Sequence, residues 1–293
     1  MNLRLRATVA ATCAVLGLAS APAHAVDVDA GDYTALPAGT TLGLAYYQHA
    51  ERNRLYAGGE RVPIDAGLSS DVGILRVVHF MRLGGITIDP QFLLPVARLR
   101  AKDDLSALGK DSGVGDLMLA ATAWLINDPQ TKTYFGITPF VWVPTGSYDR
   151  SQGVNVGENR WKWALQAGYI RPLGPQLTLD AAADVTWHGR NDDYGTGSLT
   201  LRQKPVFQLQ GWLRWHASDA LDWRLGLSHT AGGEQSIEGE SQHNRLATTR
   251  FALGAGYFIG PKTQLLTTVG RDLRVREGLR ESGRVNLRLL QIF

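Results

Sequence analysis

The chain has 293 residues, 44% of them apolar and 19% charged, with a formal net charge of +3, 33 glycines, 8 tryptophans and a single cysteine. A mean hydropathy of −0.13 with so little net charge excludes an intrinsically disordered chain, which needs few apolar residues and many like charges. The most apolar stretch of the body, around Ala120 to Ile126 and broken by Thr122, falls far short of the roughly 20 residues that a membrane-spanning helix requires. What remains is an all-β protein rich in glycine and aromatic residues.

The first element in chain order is a leader. Arg4 and Arg6 precede an apolar run from Ala7 to Ala19, and Ala23-His24-Ala25 follows. A basic start, a short apolar middle and an A-x-A site form a secretory signal peptide over residues 1–25. Cleavage after Ala25 removes Cys13, so disulfides, thiolate metal sites and a cysteine nucleophile are excluded from the mature chain. It also removes Arg4 and Arg6, which lowers the net charge to about +1; no Lys/Arg cluster is left to suggest a nucleic-acid partner. Residues 26–39 are expected to form a short periplasmic lead-in, too short for the folded plug of an active transporter.

From residue 40 onward, apolar and polar residues alternate with the period of two that sends successive side chains to opposite faces of a strand. Over 177–188 one face carries Leu177, Leu179, Ala181, Ala183, Val185 and Trp187, and the other Thr178, Asp180, Ala182, Asp184, Thr186 and His188. Segments 206–216 and 246–258 repeat the pattern. Turn chemistry divides the chain into about twelve such segments: 40–50, 69–81, 86–101, 114–126, 132–145, 159–171, 177–189, 204–216, 221–231, 246–258, 263–273 and 282–293. Short links such as Arg82-Leu83-Gly84-Gly85 and Ile259-Gly260-Pro261-Lys262 alternate with longer, polar, Gly-rich ones.

An even number of strands with alternating short turns and long loops is the arrangement of an outer-membrane barrel with its termini on the periplasmic side. In lipid every backbone N–H and C=O must be paired, and only a closed sheet achieves that. Residues 40–293 therefore read as an antiparallel transmembrane β-barrel. Aromatic residues near segment ends, among them Tyr47, Trp161, Trp163, Trp187, Trp215, Trp223 and Tyr257, suit the interfacial girdles of such a barrel. The C-terminal Phe293, with Leu289, Leu287 and Val285 on its face, fits a contact with the barrel-assembly machinery, and Gln291 interrupts that alternation. Outer-membrane lipid is the expected surrounding.

Three groups of local motifs resemble one family, the outer-membrane proteins named for the meta-pathway of phenol degradation. The first is Leu36-Pro37-Ala38-Gly39-Thr40 leading to Leu44-Ala45-Tyr46-Tyr47, with Arg54-Leu55-Tyr56-Ala57-Gly58-Gly59 after it. The second is Gly113-Val114-Gly115-Asp116-Leu117 with Pro144-Thr145-Gly146-Ser147-Tyr148-Asp149. The third is Gly157-Glu158-Asn159-Arg160-Trp161 followed by Ala167-Gly168-Tyr169. The resemblance implies an outer-membrane channel or facilitator that passes small aromatic or hydrophobic compounds, with no cofactor.

Function in such a barrel resides on the lumen face. Parity places Asp116, Trp124, Tyr134, Trp142, Lys162, Gln166, Asp180, Asp184, Gln208, Arg214, Asp222, Arg224, Arg250, Asp272 and Arg288 inward. Of these, Asp116, Trp124, Trp142, Lys162, Asp184, Arg214, Arg224 and Arg250 are the candidate transport residues. Two readings stay open: a mixed-charge path with aromatic walls, or a structural network of paired charges filling a narrow barrel. Trp124 and Trp142, on neighbouring strands, could stack a ring between them or simply fill the core. Reversing the charge of Arg214 or Arg250 is expected to alter permeation or barrel stability.

Other chemistry is less well supported. Asp116 beside Gly113 and Gly115 reads as a tight strand entry rather than a cation ligand. Asp192-Asp193 lacks the further ligand spacing of a calcium loop. His229 lies on the outward face, where a lipid hydrolase would place its histidine, but position 231 is alanine, and Ser228 and Thr230 point the other way. A hydroxyl partner would have to come from another strand. A structural or adhesive barrel that works through its outer loops, with charges such as Glu234, Glu238, Glu240 and His243, is the alternative to transport.

Overall fold

The computed structural model describes residues 27–293; the expected signal peptide and Cys13 lie outside them. Twelve long strands, β1 (Thr41–Ala57), β2 (Ala66–His79), β3 (Ile86–Asp103), β4 (Leu117–Asp128), β5 (Thr133–Val143), β6 (Lys162–Pro172), β7 (Leu177–His188), β8 (Val206–His216), β9 (Leu221–Gly232), β10 (Leu246–Gly260), β11 (Thr263–Val275) and β12 (Gly278–Ile292), each pair antiparallel with the next. β12 then pairs with β1, from Leu42 opposite Ile292 to Tyr56 opposite Gly278, so the sheet closes and no edge remains. The twelve expected segments and the twelve strands correspond one to one, but the first strand runs on to Ala57, through residues expected as loop, and the last begins at Gly278.

Closure inverts the usual distribution of polarity. Along β8 and β9 the outward positions are Phe207, Leu209, Leu213, Trp215, Trp223, Leu225 and Leu227, and Leu209 is 63% exposed. The intervening inward positions are buried and polar: Gln208, Gln210, Asp222 and Arg224, the last 3% exposed. A sheet with a wet inside and an apolar outside has lipid, not water, as its external solvent. Trp163 opposite Trp187 marks the long-loop end of this belt, and Trp215 opposite Trp223 the short-turn end. In β4 a bulge between Trp124 and Ile126 keeps both Leu125 and Ile126 outward.

Two departures from expectation matter for the site. The long loops are more structured than their composition implies: Asn191–Tyr194, Leu199–Gln203, Gln235–Ile237 and Glu240–Ser241 form a separate four-stranded sheet built from two loops. More consequentially, the stretch expected as a periplasmic lead-in does not stay outside the barrel. A turn at Pro37–Thr40, with Gly39 at φ +94° and its N–H donating to the Phe80 carbonyl, reverses the chain at the short-turn rim. A side chain at that φ would be strained, so the glycine is required. The residues before the turn run back up the lumen.

The physical reason is a complementary interior. Val28 N–H donates to Gln210 Oε1, Gly31 N–H to Asp180 Oδ1, and the Trp212 and Trp124 indoles donate to the carbonyls of Val28 and Tyr33. The Tyr33 ring lies over Gly136 and Gly168, which face each other across β5 and β6, and its hydroxyl meets Thr138 and Gln166 at 2.9 and 3.0 Å. A Cβ at position 168 would overlap that ring. Gly168→Val is therefore expected to displace Tyr33 and loosen the segment, the overpacking being worth about 1–3 kcal/mol. A cysteine placed at the buried Ala35 checks this: maleimide labelling should run about tenfold faster or more in the Gly168→Val background, as local opening becomes easier.

Candidate functional site

The lumen divides into three levels along the barrel axis. At mid-barrel and above, the inserted segment adds acids to those that the strands supply. Arg288 donates to Asp29 at 3.1 Å and to Asp32 at 2.7 Å, and Arg76 reaches Asp32 at 3.0 Å. Asp27 receives Arg284 at 2.8 Å and Arg250 at 3.4 Å. Arg250 also faces Asp272 and Glu281, and Glu281 pairs with Arg52 and Arg284. Most of these guanidiniums are nearly fully buried, where a charge without a partner costs several kcal/mol.

Below the segment, toward the short-turn end, a cavity of about 540 Å³ opens. Its apolar lining comes from Leu36, Leu42, Leu44, Val78, Phe80, Tyr134, Ile170, Leu290 and Ile292. Lys132, Arg214, His216, Asp222 and Arg224 add polar groups, and Arg76, Asp89 and Arg288 do so on the side that carries most of the apolar residues. Arg214 is held by Asp180 through two hydrogen bonds of 2.7 and 3.1 Å, and Arg224 by Asp222 and the Ala30 carbonyl. A smaller space of about 60 Å³ is lined by Asp27, Trp212, Arg250 and Arg284. The inserted segment borders both, with Asp27, Val28 and Asp29 at the smaller and Ala30, Gly31, Asp32 and Thr34 at the larger.

At the long-loop end, the connection between β5 and β6 folds onto the barrel. Asp116 accepts the amides of Gly146 at 3.0 Å and Glu158 at 3.1 Å, which makes it an anchor for that loop, as a tight strand entry implies. Glu158 pairs with both Arg160 and Lys162, and the Lys162 ammonium lies 5.1 Å from the Trp142 ring centroid. Burial pushes the Glu158 carboxyl up, but Lys162 and Arg160 outweigh it and hold it well below the usual carboxylate range.

Every candidate transport residue faces the interior, but the structure groups them differently from the sequence. Trp124, Arg214, Arg224 and Arg250 contact the inserted segment or its immediate support. Asp116, Trp142 and Lys162 belong to the outer closure. Asp184, 3.2 Å from Gln166, lies between the two. Trp124 and Trp142 do not share a ring: Trp124 is opposite Gly136 whereas Trp142 is opposite Met118, about 20 Å apart along the strands at 3.3–3.4 Å per residue. They pack instead on Phe80 and Phe140. Outside the lumen, Asp192 and Asp193 each pair with an arginine, Arg190 and Arg150. His229 does acquire a hydroxyl from the next strand, Thr249 Oγ1 at 2.9 Å.

The residues that parity missed are Asp27, Asp29, Asp32 and Tyr33. A signal was present: Arg284 and Arg288 recur four residues apart on the inward face of β12, with no acid between them, and three acids cluster just before the first strand.

Arg250→Glu would set a fourth carboxylate against Asp27, Asp272 and Glu281, and is expected to cost about 3–5 kcal/mol, read as a lower heat-modification temperature on gels. Glu158 bears on pH. Because its folded-state pKa is depressed, its contribution is fully present above the unfolded value of about 4.3 and is lost as pH falls through the folded value. The β5–β6 loop should therefore resist protease at pH 4 as at pH 7. Glu158→Gln, which strands Arg160 and Lys162, should loosen it at both.

Known proteins place this architecture. Residues 50–289 match the family described as the MetA-pathway of phenol degradation. The COG4313 outer membrane channel from Pseudomonas putida F1 is 42% identical, with a TM-score of 0.88 over 91% of this chain and 100% of that one. The β domain of the Bordetella autotransporter BrkA, at 10% identity and a TM-score of 0.55 over 85% and 98% of the two chains, shares the barrel fold alone. So does the transport unit of the Escherichia coli autotransporter AIDA-I, at 9% identity and 0.54 over 98% and 97%. No curated protein matches the sequence. The chain belongs to the MetA-pathway phenol-degradation family and is a twelve-stranded channel barrel of the outer membrane.

Proposed function

We propose that the barrel facilitates passage of small hydrophobic or aromatic compounds, using the vestibule formed by the larger cavity as their binding site. The observation that carries this is a cavity of mixed lining, in which apolar side chains stand among a few charged and polar ones. A volume of about 540 Å³ lies in the range of small-molecule sites, which combine apolar walls with a few placed polar groups. Phe80, Tyr134 and the leucines of β1 offer a ring an apolar surface, and Arg214, His216 and Lys132 offer its hydroxyl or carboxylate a partner. The candidate residues Arg214 and Arg224 supply part of the polar lining, and Trp124 stands behind Phe80. Polar solutes find no such match and meet the inserted segment across the lumen.

On this reading residues 27–36 act as a filter rather than as an energy-coupled plug. Folded mature protein in liposomes should admit phenol-like aromatics faster than empty liposomes do, while passing little sugar of similar size. Deleting residues 27–36 should raise sugar flux several-fold or more and narrow the discrimination. Absence of aromatic flux from a protein shown to be folded would sink the facilitator and redirect attention to the sheet formed by the outer loops.

A further inference from the structure

We propose that the outer rim of the barrel wall at β3 is a binding site for the phosphates of an outer-leaflet glycolipid. The strand register makes the case. The short strand Lys110–Val114 pairs with the upper half of β3: Val96 opposite Val114, Arg98 opposite Ser112, and Arg100 opposite Lys110. Val96 and Val114 are exposed and apolar and close the lipid-facing belt on this side. Arg98, Arg100 and Lys110 follow on the same outward face and are exposed. The rungs immediately above the apolar belt thus carry three cations.

Their own surroundings compensate them only at Arg98, which the Asp71 carboxylate reaches electrostatically without forming an ion pair. Lys102, next along the face, is taken by Glu51 at 2.9 Å. Asp71, opposite Arg98 on β2, already accepts Tyr47 and His49 at 2.8 Å, and Asp111 turns inward to the Val156 amide. Among the described residues, Arg98, Arg100 and Lys110 have no hydrogen-bond or ion-pair partner. Like charges directly opposite each other across two strands are destabilising, so the Arg100–Lys110 rung is unfavourable unless an anion bridges it. At that height the available anion is the phosphate of a lipid whose acyl chains lie along Val96, Val114 and Phe92. Guanidinium forks and ammonium groups are the donors that phosphate recognition uses.

The test uses full-length mature protein folded in detergent, with diphosphorylated lipid A, its dephosphorylated form and inorganic phosphate as probes. Wild type should bind the phosphorylated glycolipid in preference to the dephosphorylated one. The Arg98→Gln/Arg100→Gln/Lys110→Gln variant should lose about tenfold or more of that affinity, whereas Arg171→Gln, at the opposite rim, should lose none. Heat-modifiable migration confirms that each variant is folded. Arg100→Gln alone gives a second, sign-dependent readout: without glycolipid it should raise the unfolding temperature by relieving the like-charge rung, and with phosphorylated glycolipid it should lower it. Equal binding of both glycolipids, wild-type affinity in the triple variant, or an Arg100→Gln effect of the same sign in both conditions would overturn the proposal. Inorganic phosphate that displaces the glycolipid at matched concentration would overturn the lipid assignment.

Discussion

A column of buried guanidinium groups needs counter-charge from outside the barrel wall, and the interior of this barrel is arranged around that need. Arg76, Arg284 and Arg288 project from strands into the lumen and are largely buried there, where an ion is tolerated only with a partner. Glu281 supplies part of the compensation for Arg284 and Arg250. Asp272 supplies more for Arg250, and Asp27, Asp29 and Asp32, which belong to no strand, supply the remainder. The inserted segment is thus a set of counter-ions on a tether, and the Pro37–Thr40 turn is what brings the tether back through the mouth. Tyr33, seated on two facing glycines, fixes the height at which the acids meet their arginines.

The same constraint explains where free space remains. A polar network that satisfies its own charges fills volume, and the space lined by Asp27, Arg250 and Arg284 is correspondingly small. Below Asp32 the chain must leave the axis to reach β1, and it does so along one wall through Leu36. That exit leaves the opposite side of the mouth open and lines the near side with the apolar beginnings of β1 and β2. The vestibule follows from the segment having to enter beside a strand rather than along the centre.

The barrel was largely legible in the sequence because a lipid-facing sheet obeys two strict rules, period-two alternation and full closure, and both leave marks on every strand. The inward positions of Asp116, Lys162, Arg214, Arg224 and Arg250 followed from that parity alone. Height did not follow: parity says which face Trp124 and Trp142 occupy but not how far apart two strands set them, which is why no shared ring site forms. Nor did the lead-in announce itself, since residues 27–36 have no periodicity to match and their fate is decided by charges hundreds of residues away. Residual charge on a predicted lumen face is the more general signal, and here it resided in Arg284 and Arg288.

The family motifs gain a physical meaning from these two places. Leu36-Pro37-Ala38-Gly39-Thr40 is the turn that admits the inserted segment, with Gly39 in a conformation that other residues avoid. Gly113 to Leu117, Pro144 to Asp149 and Gly157 to Trp161 meet at the opposite end: Asp116 captures the amides of Gly146 and Glu158, Gly157 packs against Gly146 without room for a side chain, and Glu158 binds Arg160 and Lys162. Neither place is needed to make a barrel, because closure is achieved by strand pairing alone. Both govern what occupies its interior, one from below and one from above. The remaining motif residues lie on the wall itself and serve the same end: Gly168 of Ala167-Gly168-Tyr169, on β6, leaves the space that the Tyr33 ring of the inserted segment occupies.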